Sequence, residues 1–92
     1  MKKTKVKPQT HIFRGKKYKI FFRNPSNRTH LGTCDYAAKE IEVRPTLDSK
    51  DKLDVIIHES LHACFADIED DAISETATTI ANLLMKLGYK KG

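Results

Sequence analysis

Hydrophobic and polar positions divide the chain into a first half of short segments and a second half of longer, helical ones. YKIFFR (18–23) is rich in β-branched and aromatic residues, and LGTCDY (31–36) and KEIEVR (39–44) flank a short Ala-Ala turn. In the third segment, Ile41 and Val43 alternate with charged residues, as in a strand with one exposed face. The dense turn formers of NPSNRTH (24–30) predict a loop. The first half therefore predicts a small antiparallel sheet of about three strands.

The second half has the spacing and the end signals of two helices. Asp48 or Ser49 is placed to cap a helix that extends to about Ala66. After the acidic connection ADIEDD, a second helix is expected over about 71–87, with Gly88 as its C-terminal stop. Strands followed by two helices predict an α+β fold.

Length and composition fit one small domain. The chain has 92 residues, with 39% hydrophobic and 32% charged residues. We expect residues 1–10 to be a flexible basic segment and residues 11–92 to form a single domain. No apolar run has the length of a membrane span, and no apolar stretch of a signal peptide follows the first lysines. The two cysteines, Cys34 and Cys64, do not make a disulfide framework, so a cytoplasmic location is expected.

The charge is distributed unevenly along the chain. Residues 1–46 contain twelve Lys/Arg and three Asp/Glu, a balance of +9, whereas residues 47–92 contain five and nine, a balance of −4. A basic first half is able to attract nucleic acid or another polyanion. It is also explained by a solvated tail and by lysines that protect strand edges. We favour this second interpretation, because the basic residues show no recognisable nucleic-acid motif.

The stretch VIIHESLHACF (55–65) places three titratable residues in the most apolar part of the chain. His58 and His62 are one helical turn apart, so their imidazoles lie on the same side and are able to bind one Zn²⁺ ion. Glu59 reaches a water on that ion rather than the ion itself, which makes it a candidate general base. The predicted apolar stripe of this helix consists of Leu53, Ile56, Ile57, Leu61 and Cys64. Cys64 is therefore expected to be a buried thiol and not a ligand.

A catalytic zinc site needs a third protein ligand and a position open to water. Five acidic residues follow the histidines: Asp67, Glu69, Asp70, Asp71 and Glu75. We expect Glu75, near the start of the second helix, to be the third ligand, although helical periodicity places it beyond the edge of the apolar stripe. Asp71, Asp67 and Asp70 remain alternatives.

HESLH, the acidic residue in SETATTIANLL and the preceding CDYAAKEIEVRP resemble minimal zinc metallopeptidases of the gluzincin type. The segments are most similar to small phage- and bacteria-encoded proteins of the SprT-like and ImmA/IrrE groups. The resemblance covers residues 31–87. It implies a strand hairpin leading into the HExxH helix, with His58, His62 and Glu75 as metal ligands and Glu59 as general base. The chain departs from these groups in lacking the N-terminal helix of larger zincins and a cysteine-rich zinc ribbon.

Three functions are compatible with these features. The first is a zinc peptidase whose peptide or protein substrate lies as an added strand along KEIEVR or LGTCDY, in the cytoplasm of a cell or of a phage host. The second is a metal-binding module without useful turnover, which binds a protein or nucleic acid through the basic first half. The third is a structural protein without metal. For the peptidase, Tyr36, His30 and Tyr89 are the candidates for stabilising the oxyanion.

Overall fold

The computed structural model describes residues 8–89, which form a four-stranded sheet followed by two helices. The strands are β1 (Gln9–Phe13), β2 (Lys16–Phe22), β3 (Gly32–Asp35) and β4 (Glu40–Val43). Their order across the sheet is β1-β2-β4-β3. The pairs β1–β2 and β3–β4 are antiparallel, whereas β2 and β4 run parallel with Ile20 opposite Ile41. The predicted α+β class is confirmed.

Two details of the predicted sheet are wrong. The sheet is mixed, because β4 lies between β2 and β3 and pairs in parallel with β2. It has four strands, because β1, which begins at Gln9 inside the segment expected to be flexible, was not predicted. Four of its five residues are exposed, so its composition carries little apolar signal. Residues 1–7 of that segment lie outside the described residues.

One face of the sheet forms the core. Its buried side chains Phe13, Tyr18, Ile41 and Val43 pack against Val55 and Ala63 of the first helix. The opposite face is polar, and Arg23 there forms an ion pair with Glu42 and stacks over the Phe21 ring. The first helix therefore covers only one face of the sheet, as expected for strands that alternate apolar and polar residues.

The helices are α1 (Ser49–Cys64) and α2 (Asp70–Lys86). The predicted cap is confirmed at Asp48, whose side chain accepts a hydrogen bond from the Asp51 backbone N–H at 2.9 Å. The predicted stop is confirmed at Gly88, which has φ +96°, a conformation that glycine adopts without a Cβ penalty. Neither helix among residues 8–89 is long and apolar enough to cross a membrane.

The helix α2 packs antiparallel on α1 and contacts no strand. Its buried residues Ile73, Ala77 and Ala81 recur every fourth position, so they form one stripe on the α1 side. Near its middle, Thr78 donates a hydrogen bond of 2.8 Å to Asp54 of α1. Thr78 and Asp54 therefore lie opposite each other where α2 packs along α1.

The apolar stripe predicted for α1 is only partly buried. The buried residues of α1 are Val55, Glu59 and Ala63, a set that includes one carboxyl group. The helix lies between the sheet and α2, so apolar residues are needed on two sides. The residues that α1 buries therefore do not coincide with the predicted apolar stripe, and Ile57 and Leu61 remain partly exposed.

Candidate metal centre

Three side chains from the two helices converge beside the last turns of α1. The Nε2 atoms of His58 and His62 are 3.1 Å apart. Asp70, the first residue of α2, places Oδ1 at 3.0 Å from Nε2 of His62 and 3.6 Å from Nε2 of His58. Among residues 8–89 these three form the one group of at least three His, Cys, Asp or Glu side chains that is able to hold a metal ion.

The distances within this group match a metal site. Ligand atoms of a tetrahedral zinc ion, each about 2.0 to 2.2 Å from the metal, lie about 3.3 to 3.6 Å from one another. The observed separations of 3.0, 3.1 and 3.6 Å are close to the edges of one face of such a tetrahedron. The donor set of two imidazoles and one carboxylate also suits a divalent transition metal. The residues present therefore fit a metal with three protein ligands.

Burial keeps the first histidine in the form that binds metals. Its side chain is 23% exposed. Burial lowers the pKa of His58, the neighbouring His62 lowers it further, and Asp70 partly opposes both effects. A lowered pKa favours the neutral imidazole, which is the ligating form.

The predicted third ligand, Glu75, is not in this group, and Asp70 occupies that position instead. Glu75 is two residues from both Ile73 and Ala77, which is about 200° around the helix from each buried residue. It is exposed and lines a shallow surface pocket with Thr76 and Thr79. The second helix does place a carboxylate in this group, as expected, but that carboxylate belongs to Asp70, one of the alternatives, and not to Glu75.

The helical register explains why Asp70 takes this place. The bond between Thr78 and Asp54 aligns the two helices, and moving two turns along each brings Asp70 beside His62. The connection between Cys64 and Asp70 is too short to allow another alignment of the helix ends. The first turn of α2 is therefore forced against the last turns of α1. The remaining acidic candidates, Asp67, Glu69 and Asp71, are exposed and outside the group.

Glu59 is the buried carboxyl group of the site, with 7% of its surface exposed. Burial raises its pKa to about 7, and the negative charge of Asp70 adds to the effect. The glutamate is accommodated by Gly32 of β3, where an added Cβ would lie 2.5 Å from Val55 and 3.3 Å from the Glu59 side chain. A larger residue at Gly32 would push β3 away from α1. The Glu59 side chain thus lies where α1 and β3 are packed closely together.

An open cleft of about 260 Å³ lies between β3 and α1, beside the three converging side chains. Its lining consists of His30, Gly32, Thr33, Cys34, Tyr36, Glu59 and His62. The loop that carries His30 is held by Arg44, whose guanidinium donates to the carbonyl oxygens of Arg28 and His30 at 2.8 and 2.6 Å. The cleft therefore brings the predicted general base and one predicted ligand to the same surface as β3.

Two of the three oxyanion candidates line this cleft. The Tyr36 hydroxyl lies 3.3 Å from Nδ1 of His62. Burial raises the pKa of Tyr36, so its hydroxyl stays protonated near neutral pH. His30 is also part of the lining. Tyr89 follows the C-terminal end of α2 and is 64% exposed, away from the cleft.

The cysteines are not part of the metal group. Cys64 packs against the core, as expected. Cys34 also packs against the core and lines the cleft, a position that its place in a predicted strand did not reveal. Burial raises the pKa of Cys34 to about 11, with a further contribution from Glu59. The thiol is therefore neutral and a poor metal ligand near neutral pH.

Comparison with protein-family models, with curated proteins and with solved structures gave no match.

Proposed function

We propose that this protein is a zinc-dependent peptidase in which His58, His62 and Asp70 hold the metal. The observation that supports this most directly is the triangle of two imidazole nitrogens and one carboxylate oxygen, with sides of 3.0 to 3.6 Å. The HExxH spacing favours zinc, because this motif combines two ligands with a general base. A bound Zn²⁺ would supply a Lewis acid for the scissile carbonyl and lower the pKa of a coordinated water.

Glu59 is the proposed general base. It lies one residue from the first ligand and lines the same cleft as His62. A carboxylate whose pKa is near neutral is well suited to accept a proton from water and return it to the leaving amine. Its side chain lies where α1 and β3 are in close contact and forms part of the cleft lining.

The proposed substrate is a peptide in extended conformation, bound along β3. This strand is the last in the sheet order, so one of its edges has no strand partner among the described residues. Three of its residues line the cleft: Gly32, Thr33 and Cys34. An added peptide strand would obtain main-chain hydrogen bonds there. The alternative edge, KEIEVR, is not available because β4 pairs on both sides.

The test begins with metal analysis of the purified protein, followed by mass spectrometry of a broad peptide library. We expect one equivalent of zinc and cleavage of internal peptide bonds. Glu59→Gln should lower the cleavage rate by about 10² to 10⁴, the usual contribution of a general base, while zinc content is unchanged. Glu40→Gln makes the same chemical change in β4, outside the cleft, and should leave the rate unaltered.

The outcomes separate the three functions suggested by the sequence. Full activity in Glu59→Gln would refute the mechanism. Stoichiometric zinc without cleavage of any peptide would support a metal-binding module, for which the exposed Lys16, Lys17 and Lys19 offer a basic surface. Absence of bound metal would support a structural role.

A further inference from the structure

The imidazole of His62 has neighbours at both of its ring nitrogens. Nε2 lies 3.0 Å from Asp70, within the metal group. Nδ1, on the opposite edge of the ring, lies 3.3 Å from the Tyr36 hydroxyl. A histidine that ligates a metal through one ring nitrogen carries its proton on the other ring nitrogen. A hydrogen-bond acceptor for that proton fixes both the tautomer and the orientation of the ring.

The position of Tyr36 is set by the turn between β3 and β4. The Asp35 side chain accepts a hydrogen bond of 3.0 Å from the Ala38 backbone N–H, and Lys39 adopts φ +57° before β4 begins. These local interactions define the turn independently of α1. The turn therefore brings the phenol to His62 from a separate element, 26 residues away in sequence.

We propose that Tyr36 is a positioning residue, whose hydroxyl accepts the Nδ1–H of His62 and directs Nε2 toward the metal. This inference rests on the metal site of the proposed function. It gives Tyr36 a different role from oxyanion stabilisation, because the hydroxyl engages the edge of the imidazole that faces away from the other two ligands. A group that bound the oxyanion would act on substrate and leave metal affinity unchanged.

The variant Tyr36→Phe keeps the ring and removes the acceptor. Loss of such a partner typically weakens metal binding by about 10- to 100-fold. Because the tyrosine is 43% exposed and water is able to replace it in part, we expect a loss of about tenfold. The measurement is competition for zinc between the protein and a chelator, without substrate. Tyr89→Phe, the same change at the end of α2, should retain wild-type affinity, and both variants should melt like the wild type when metal-free.

A second measurement observes the proposed hydrogen bond directly. In the zinc-loaded wild-type protein, NMR of ¹⁵N-labelled histidine should show a His62 Nδ1–H proton that exchanges slowly with water and is close to the Tyr36 ring. In Tyr36→Phe this exchange should become faster, an effect that a purely structural role would not produce.

Equal zinc affinity in Tyr36→Phe and the wild type would overturn the proposal. If turnover fell while affinity stayed constant, the phenol would be acting on substrate instead. Zinc binding with no peptidase activity would refute the proposed reaction but not the role of Tyr36. A wild-type protein that binds no zinc would overturn both.

Discussion

The two helices are nearly equal in length, with 16 residues in α1 and 17 in α2, but they differ in what they bury. The buried residues of α2 are all apolar, at regular intervals of four. Those of α1 include Glu59, and the two histidines are only partly exposed. Such a departure from the apolar pattern costs stability and is expected at functional sites. Under the proposed function, α1 therefore supplies both histidines and the general base, and α2 supplies one carboxylate.

The two helices also differ in how their N-terminal ends are capped. At α1, the Asp48 side chain caps the backbone. At α2, the cap residue Glu69 makes no side-chain hydrogen bond to the helix, and the next residue, Asp70, is directed toward His62. The acidic first turn of α2 is therefore available to a metal. Four changes, to the metal, to Asp70, to Glu59 and to Thr78, test this difference between the helices.

Removal of the metal should have the largest effect on stability. Zinc at 100 times its dissociation constant stabilises the folded state by about 2.7 kcal/mol, and 1 kcal/mol shifts the melting temperature of a domain of this size by roughly 4 to 8 °C. A chelator should therefore lower the melting temperature by roughly 10 to 20 °C, as measured by circular dichroism. His62→Ala should melt at the lower temperature with or without chelator.

His11→Ala, which removes an exposed imidazole from β1, is the matched control and should respond to the chelator like the wild type. A wild-type melting temperature that does not change with chelator would show that the polar residues of α1 are stable without an ion.

The identity of the third ligand should give the next largest effect. Asp70→Asn removes the carboxylate that lies 3.0 Å from His62, so we expect zinc affinity to fall by about tenfold or more. Glu75→Gln removes an exposed charge on the far side of α2 and should leave the affinity unchanged. Chelator competition measures both. If Glu75→Gln lost affinity and Asp70→Asn kept it, α2 would begin in a different rotation about its axis.

The buried Glu59 should make the metal-free protein sensitive to pH. Its pKa is raised from 4.5 to about 7 in the folded chain, so the folded state binds the proton more tightly than the unfolded state does. The contribution of this protonation to the free energy of unfolding is fully present below the pKa of Glu59 in the unfolded chain. It is lost as pH rises through the pKa of Glu59 in the folded chain.

In urea titrations of metal-free protein, wild type should therefore lose stability relative to Glu59→Gln between pH 5 and pH 8. The control is the same comparison with zinc bound, where the metal's positive charge should lower the pKa of Glu59 and reduce the difference. A constant difference between the two proteins across this range would contradict a raised pKa.

The contact between Thr78 and Asp54 should give the smallest effect. Thr78→Val removes a hydrogen bond of 2.8 Å at an exposed position, which typically costs about 0.5 to 1.5 kcal/mol. Urea unfolding of the zinc-free protein measures this, with Thr79→Val as the matched change one residue further along. Equal stability of the two variants would mean that the apolar stripe alone sets the register of α2.

Local signals in the sequence predicted much of this fold. Asp48 and Gly88 were identified as helix ends because a cap and a left-handed glycine depend on neighbouring residues alone. The HExxH spacing brought His58 and His62 together for the same reason, since one helical turn is enough to place them. These features do not depend on the tertiary arrangement.

The features that the sequence did not predict depend on packing between elements. The choice of Asp70 over Glu75 follows from the register of two helices, which no single helix reveals. The short connection was nevertheless a usable signal for Asp70, because in a helical hairpin it places the start of α2 beside the end of α1. The insertion of β4 between β2 and β3 is likewise a long-range pairing, so the strand pattern alone could not predict it.

The parallel pairing of β2 with β4 has a consequence for how the chain folds. The pairs β1–β2 and β3–β4 are local hairpins, which typically form in about 1 to 10 μs. The parallel seam joins distant residues, such as Lys19 and Glu40, and closes the long loop between them. Docking of the two preformed hairpins along this seam is therefore the expected rate-limiting step. Because β3 joins the rest of the sheet only through β4, it takes its place in the sheet when the seam closes, and we expect the cleft between β3 and α1 to be completed late.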